Sequence, residues 1–329
     1  MSLPESAQEL LRDLAARVRA FPVRKKIVFP EGADPRVLEA ATRLAVEGLV
    51  KPILVAKKPA GAPEGIAFVD CETCPNLKEY ASLYYERRRA KGVTQVEAAE
   101  IARRPLYFAT LMVAAGHADG FVGGAANTTA ETVRAAFHCI GTRPGVKTVS
   151  SVMLVCVRDL SYGHKGVLAF ADCAIVIDPN AVELAEIAIA TAQTYRDLIS
   201  AEPIVALLSF STKGSATHPF VEKVAEAVRI VRQRAPQLNL DGEMQADAAL
   251  VPRIGRSKAA GSTVAGQANT LIFPDVGSGN IGYKLVERLG GAAAFGPFLQ
   301  GLAIPANDLS RGCSAGDIYS AALVTALQS

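Results

Sequence analysis

Short apolar runs alternate with longer helical stretches along most of the chain. Lys26 to Phe29, Pro52 to Ala56 and Ile204 to Leu208 are four or five residues long and largely apolar, which is typical of buried strands. Helical stretches such as Arg36 to Glu47 and Ala181 to Ser200 separate them. This alternation predicts an α/β protein with a largely parallel sheet.

Several predicted helices begin with a recognisable cap. Thr94 and Thr128 each precede a glutamate by three residues, which is the spacing of a capping box. Asp34 followed by Pro35 predicts the start of another helix, since proline suits a first helical turn. Ala174 to Ile177 is apolar and reads as a further short strand.

A glycine-rich segment, LIFPDVGSGNIGYKL, contains the spacing G-x-G-x-x-G at Gly277, Gly279 and Gly282. A dinucleotide site would need a further strand and an acidic residue about 20 positions on, but that position falls in a loop-like stretch and no clear strand follows the helix predicted from Ile281 to Leu289. The remaining interpretations are a turn whose backbone N–H groups bind an anion such as phosphate, or an ordinary tight turn.

Composition excludes several classes of protein. Of 329 residues, 50% are hydrophobic and 20% are charged, which allows a sizeable core, and the length of the chain suggests two domains. A net charge of +3 and the absence of Trp give no support for nucleic-acid binding. The N-terminal stretch lacks an apolar signal region, and the apolar stretch from Gly166 to Ile177 is short for a membrane span. We therefore expect a cytoplasmic protein with no membrane or nucleic-acid partner.

The six cysteines give no metal-binding pattern. Cys71 and Cys74 form one C-x-x-C pair, but no second pair or suitably spaced histidines accompany it. A structural zinc or a redox pair is the less favoured interpretation, and two loop thiols are the simpler one.

The last 25 residues hold the densest group of polar side chains. Ser314 and Asp317 have the spacing of a helix cap, while Asn307, Asp308 and Ser310 could be turn formers.

Ordered motifs over nearly the whole chain resemble those of the phosphate acetyltransferases, within the phosphate acetyl/butyryl transferase family. The matching stretches are IVFPEG from Ile27, PLYF from Pro105, GFVGGAANTTAETVR from Gly120, PGVKTVSSV from Pro144, FADC from Phe170, GEMQAD from Gly242, FPDVGSGNIGYKLVERLGG from Phe273 and FGPFLQGLAIPANDLSRGCSAGD from Phe295.

This resemblance implies a reaction and its participants. The family transfers an acetyl group between acetyl phosphate and coenzyme A (CoA) in a ternary complex, with inorganic phosphate as the other product and no metal or nicotinamide cofactor. The thiol of CoA is mostly protonated at neutral pH and gains from a base. By resemblance Asp317 is that base, Arg311 polarises the carbonyl oxygen, and Ser310 is a nearby hydrogen-bond donor.

The resemblance also implies residues that bind the phosphates of the substrates. Arg88 and Arg134 match family arginines; without the family, Arg88 would read as part of a solvated basic helix face and Arg134 as an intrahelical partner of Glu131. Residues of the glycine-rich segment are assigned more weakly to the same role: Ser278, Gly279, Asn280, Tyr283 and Lys284.

The fold implied is that of the isocitrate and isopropylmalate dehydrogenases, with two α/β domains and a cleft between them. Domain I would comprise residues 1–143 and 298–329, and domain II residues 144–297. A homodimer is implied by resemblance alone. The alternatives are a transferase that prefers propionyl or butyryl groups, a dehydrogenase of the same fold, and a non-catalytic CoA-binding module.

Overall fold

A computed structural model describes residues 3–329, which divide into two compact units. The first unit contains Asp13–Gly145 and Leu302–Ser329, and the second contains the chain up to Arg12 together with Val146–Gly301. The cleft predicted from the resemblance stays a prediction.

Helices account for more residues of the described chain than strands do. Their bounds are α1 Glu5–Arg19, α2 Pro35–Val46, α3 Leu77–Arg88, α4 Gln95–Ala102, α5 Pro105–Ala114, α6 Thr129–Cys139, α7 Ala181–Ile199, α8 Pro219–Arg234, α9 Ala246–Leu250, α10 Pro252–Lys258, α11 Val276–Gly290 and α12 Ala315–Gln328. The caps predicted at Thr94 and Thr128 are confirmed: each threonine accepts a backbone N–H and each glutamate accepts one in return. No helix within residues 3–329 combines the length and apolar character needed to cross a lipid bilayer.

The strands are short and mostly buried. Their bounds are β1 Lys26–Phe29, β2 Lys51–Val55, β3 Ala67–Val69, β4 Gly120–Gly123, β5 Ser150–Cys156, β6 Val167–Ala171, β7 Val205–Leu208, β8 Leu240–Met244, β9 Thr270–Ile272, β10 Ala293–Gln300 and β11 Ala306–Asp308.

The first unit is built on a parallel sheet of five strands in the order β11-β4-β1-β2-β3. Strand β11 comes from the end of the chain and pairs with β4, so that Asp308 lies opposite Gly123. This pairing places the residues after Asp308 at the carboxyl edge of the sheet, where α/β proteins usually bind ligands.

The second unit contains a mixed six-stranded sheet in the order β10-β5-β6-β9-β7-β8. The pairs formed by β5 with β10 and with β6 are antiparallel, and the other pairs are parallel. Both units therefore have the α/β architecture that the alternating pattern predicts.

Two predictions about the glycine-rich segment are wrong. The segment is not a turn, because α11 begins at Val276 and its first turns contain Gly277 to Asn280. The carboxylate of Asp275 accepts the N–H of Ser278 and so occupies the helix start. A strand does follow this helix, since β10 pairs with β5.

Two further predictions fail because polar side chains form hydrogen bonds that the sequence pattern does not indicate. Residues 174–177 are not a strand: the Asp172 carboxylate accepts the N–H groups of Ala174, Ile175 and Val176 and holds them in a bend. Asn307 and Asp308 are not turn formers either, because both are buried within β11. The contacts of Asp172 are local, whereas Asn307 and Asp308 bond to side chains of α12 and α6 that are distant in the sequence. The apolar pattern along the chain indicates neither kind of contact.

Candidate active site

The carboxyl edge of the first unit's sheet brings three loops together. They follow β1, β4 and β11 and contain residues 30–34, 124–128 and 309–314. Ser310 and Arg311 lie on the third loop, and both are exposed. The hydroxyl of Ser310 accepts the N–H of Gly312 at 3.3 Å.

Asp317 lies in the first turn of α12, directly after this loop. Its Oδ2 atom accepts the N–H and the hydroxyl of Ser314, each at 2.8 Å, and Ser314 in turn caps the helix. Its Oδ1 atom accepts no hydrogen bond from residues 3–329. The predicted cap is confirmed, and it holds the carboxylate in one orientation with an oxygen free for a further partner.

Arg36, at the start of α2, ties the 309–314 loop to the rest of the edge. Its Nη1 atom donates to the carbonyl oxygens of Arg311 and Cys313, both at 2.9 Å, and its Nη2 atom donates to that of Ala125 at 2.9 Å. Asp34 accepts from the Nε and Nη2 atoms of the same guanidinium group. The motif Asp34-Pro35-Arg36 predicts only the start of a helix, and nothing in its spacing indicates this contact.

Three arginines act electrostatically on the side chain of Tyr107 on α5. Burial raises the pKa of the Tyr107 hydroxyl, while Arg134, Arg104 and Arg88 all act in the opposite direction. Arg88 and Arg134 also lower the pKa of His138, in addition to the larger effect of burial. The two arginines that the resemblance selected, Arg88 and Arg134, therefore lie in one region, and Arg104 joins them.

These guanidinium groups have no carboxylate at ion-pair distance within residues 3–329, although their neighbours do: Arg89 pairs with Glu86, and Arg103 pairs with Glu72. Arg88 is not part of a solvated face, because its Nε atom is buried and lacks a hydrogen-bond partner in the described chain. Nor does Arg134 form the alternative pair with Glu131. Unpaired arginines gathered at one edge are suited to bind anions such as phosphate groups.

A cavity of about 640 Å³ opens at the same edge. Arg104 and Arg134 contribute its positive charge, Tyr107 and Leu106 part of its apolar wall, and Glu31, Asp34 and Glu131 its carboxylates. A concave site that combines an apolar wall with charged groups is typical of sites for small molecules and cofactors.

Cys313 lies on the 309–314 loop, and it is buried. Burial raises the pKa of its thiol to about 11, and Asp317 contributes in the same direction. The thiol is therefore neutral near pH 7, which makes it a poor nucleophile. Residues 3–329 contain no group of three or more His, Cys, Asp or Glu side chains placed to hold a metal ion.

The other predicted binding residues lie on α11 of the second unit. Gly279 packs so closely against Asp172 that a side chain would overlap its carbonyl oxygen, and Asn280 donates to the carbonyl oxygen of Cys173 at 3.0 Å. Ser278 bonds with Asp275, and the ammonium group of Lys284 lies 5.9 Å from the ring centre of Tyr283. The first three residues have structural roles in these contacts, and a role of any of the five in substrate binding stays a prediction.

Comparison with known proteins gives a consistent result. A family model described as phosphate acetyl/butaryl transferase matches residues 10–326. The phosphate acetyltransferase of Acetivibrio thermocellus is 47% identical over 311 residues, covering 92% of this chain and 94% of the relative. A phosphotransacetylase from Streptococcus pyogenes superposes with a TM-score of 0.91 at 44% identity, covering 100% of this chain and 99% of the other.

A more distant structure bears on the fold alone. The 4-hydroxythreonine-4-phosphate dehydrogenase of Klebsiella pneumoniae is 13% identical, with a TM-score of 0.51 over 93% of this chain and 100% of its own. The dehydrogenase-like fold predicted from the resemblance is therefore confirmed. The family model and the closely similar relatives together show that the chain belongs to the phosphate acetyl/butaryl transferase family.

Proposed function

We propose that this protein catalyses the reversible transfer of an acetyl group between acetyl phosphate and CoA, with inorganic phosphate as the second product. The observation that carries the proposal is the carboxyl edge of the first unit, where Arg104 and Arg134, which have no ion-pair partner within residues 3–329, line one cavity with Tyr107. Both substrates carry phosphate groups, and arginine binds phosphate oxygens in a bidentate manner. Membership of the transferase family supports the same reaction.

Asp317 is the proposed base. Its Oδ2 atom is held by Ser314, and Oδ1 is available to accept the proton of the CoA thiol. The thiolate then attacks the carbonyl carbon of acetyl phosphate, a carbon–sulfur bond forms, and the carbon–oxygen bond to phosphate breaks as phosphate leaves. The neutral thiol of Cys313 supports direct attack by CoA without an acyl-enzyme.

Arg311 and Ser310 are proposed to act on the acetyl group. Negative charge grows on its carbonyl oxygen during attack, and a guanidinium group placed there stabilises that charge. Arg311 lies on an exposed loop, so its side chain is accessible to a substrate. Arg36 binds the carbonyl oxygen of Arg311 and so fixes the backbone from which this side chain extends. Arg88 and Arg134 are the proposed partners of substrate phosphates, and Arg104 is added to them because it lines the same cavity.

A homodimer is part of the proposal, and one exposed face supports it. Ile281, Leu285 and Leu289 lie four residues apart on α11, and their exposed fractions are 61%, 52% and 83%. An exposed apolar stripe of this kind commonly forms an interface between subunits. Replacing Leu285 with lysine should shift the mass measured by light scattering toward the monomer; an unchanged dimer would place the interface elsewhere.

A cytoplasmic location is proposed as well. All six cysteines are free, which is typical of proteins in a reducing compartment.

The reaction is tested by following thioester absorbance after mixing the protein with CoA and an acyl phosphate. Acetyl, propionyl and butyryl phosphates are compared at equal concentration. We expect the highest kcat/KM with acetyl phosphate. A clear preference for propionyl or butyryl phosphate would show that the acyl group transferred is longer than acetyl. If none of the three gave a thioester, the protein would be a CoA-binding module without this activity.

A further inference from the structure

Asp308 is a buried carboxylate at the root of the loop that carries Ser310 and Arg311. It is the last residue of β11, and its exposed fraction is 1%. Its Oδ2 atom accepts the hydroxyl of Thr129 at 2.6 Å. The side chain therefore attaches the root of the loop to the first turns of α6, the helix that carries Arg134.

Glu31 is a second carboxylate at the same place; the residue is half-buried, and its Oε2 atom is fully buried. Its Oε1 atom accepts the N–H groups of Gly124 and Ala126, at 2.9 and 3.4 Å, and the side-chain amide of Asn127 at 2.7 Å. Glu31 thereby fixes the loop between β4 and α6, as Asp308 fixes the loop after β11.

Gly124 lies against both carboxyl groups. Its N–H points to Glu31, while a side chain on its α-carbon would come within 2.5 Å of Asp308 Oδ1. Oδ1 of Asp308 and Oε2 of Glu31 are both buried, and neither finds a hydrogen-bond donor within residues 3–329. Buried polar atoms without a partner are rare, and each one calls for an explanation.

Burial and the nearby charge of Glu31 raise the pKa of Asp308 from 3.8 to about 6, against the lowering effect of the Thr129 and Thr132 hydroxyls and the Leu309 N–H. Asp308 is therefore ionised at neutral pH and gains its proton in mild acid. The other charged or titratable groups on the neighbouring elements are Asp34 before α2, Arg36, Glu39 and Arg43 on α2, Glu131, Arg134, His138 and Cys139 on α6, Arg311 and Cys313 on the loop, and Asp317 and Tyr319 on α12.

We propose that Asp308 is a positioning residue for acyl transfer: its carboxylate form sets the position of the 309–314 loop against α6, and protonation shifts the loop from this position and slows the reaction without weakening substrate binding. The inference rests on the proposed function. Asp308 acts through the loop, because a side chain that is 1% exposed cannot touch CoA or acetyl phosphate. A displacement of reacting groups by about 1 Å is enough to lower a rate by roughly 100-fold.

The first test compares pH profiles of kcat for thioester formation between pH 5 and 8. In the unaltered protein kcat should fall below about pH 6, which is the pKa of Asp308. Asp308→Asn should remove this acid limb and lower kcat at pH 8 by roughly 10-fold or more, with KM for both substrates within about threefold. Asp119→Asn is the matched control, since Asp119 precedes the opposite end of β4 and accepts the N–H of Lys26. It should keep the original profile.

A second pair of variants separates a titrating group from a merely structural one. Glu31→Gln removes a negative charge near Asp308, which should lower the pKa of Asp308 and move the acid limb to lower pH. Thr129→Val removes a donor to the carboxylate, which should raise that pKa and move the limb to higher pH. Both variants retain the Asp308 carboxylate, so the test does not depend on the stability of Asp308→Asn.

Opposite shifts in the two variants are the result expected. An acid limb that persists in Asp308→Asn, or that moves in the same direction or not at all in Glu31→Gln and Thr129→Val, would overturn the role of Asp308 while leaving the transferase function intact. An unaltered protein that forms no thioester at any pH would instead refute the proposed function, and the positioning role with it.

Discussion

Replacing Asp308 by asparagine removes a buried negative charge and should make the stability of the protein less sensitive to pH. The pKa of Asp308 is raised from 3.8 in a solvent-exposed carboxyl to about 6 in the folded protein. A raised pKa means that the folded protein favours the protonated form. This contribution to stability is present in full below pH 3.8 and is lost as the pH rises through 6.

The shift of about two units corresponds to about 3 kcal/mol, since each unit is worth about 1.4 kcal/mol. Roughly half of this change falls between pH 5 and 8, or about 1.5 kcal/mol. Asparagine does not titrate, and its amide nitrogen can donate where Oδ1 of Asp308 has no donor. We therefore expect the variant to gain about 1.5 kcal/mol relative to the unaltered protein on going from pH 5 to pH 8.

Urea unfolding followed by far-UV circular dichroism at the two pH values measures this difference, and Asp119→Asn is again the control. The reasoning uses only the difference between the two proteins, so carboxylates that titrate equally in both cancel. A relative stability that does not change between pH 5 and 8, or that changes in favour of Asp308, would show that this carboxyl has no raised pKa and would refute the reasoning.

Three further predictions concern separate parts of the chain. Gly279→Ala should destabilise the protein by about 1–3 kcal/mol in urea unfolding, because the new methyl group overlaps the carbonyl oxygen of Asp172. In Gly290→Ala, on the same helix, the new methyl group meets its nearest neighbour at 3.9 Å, so this variant should be neutral or slightly stabilising. Equal effects of the two substitutions would refute the packing argument. Arg104→Gln should raise KM for CoA by roughly 5-fold at unchanged kcat. Arg103→Gln, which loses an exposed ion pair outside the cavity, should leave KM unchanged. Equal KM values for the two variants would show that Arg104 does not bind CoA. Cys313→Ser should keep kcat within about threefold, because the thiol is neutral, and a loss of 100-fold or more would point to a covalent role.

Elements with strong local signals could be predicted from the sequence. The helices after Thr94 and Thr128 begin at capping boxes formed by residues three positions apart, so the local sequence is enough to predict where they start. The buried strand at Lys26–Phe29 is likewise set by its own apolar run.

Predictions failed where a specific contact outweighs the local pattern of glycine or apolar residues. Glycines at 277, 279 and 282 suggested a turn. Position 279 instead requires glycine because α11 packs against the backbone at Asp172, which leaves no room for a side chain. Residues 174–177 are apolar, yet the Asp172 carboxylate bends them. Neither contact leaves a periodic signal in the sequence.

The candidate site shows the same division. Resemblance selected Arg88 and Arg134, and both lie near Tyr107. Arg36 and Asp308 were missed because each acts on loops that are distant in sequence: Arg36 binds carbonyl oxygens about 275 positions away, and Asp308 binds Thr129. Such contacts become visible only once β11 is paired with β4.

The most direct test of the central claim is the rate of acetyl-CoA formation by Asp317→Asn under saturating acetyl phosphate and CoA. Asparagine retains an oxygen that can accept the bonds from Ser314, so the cap of α12 is largely kept while the base is lost. We predict a fall in kcat of roughly 100- to 10,000-fold, with KM for CoA within about threefold. A kcat within twofold of the unaltered protein would contradict the assignment of Asp317 as the base that takes the thiol proton.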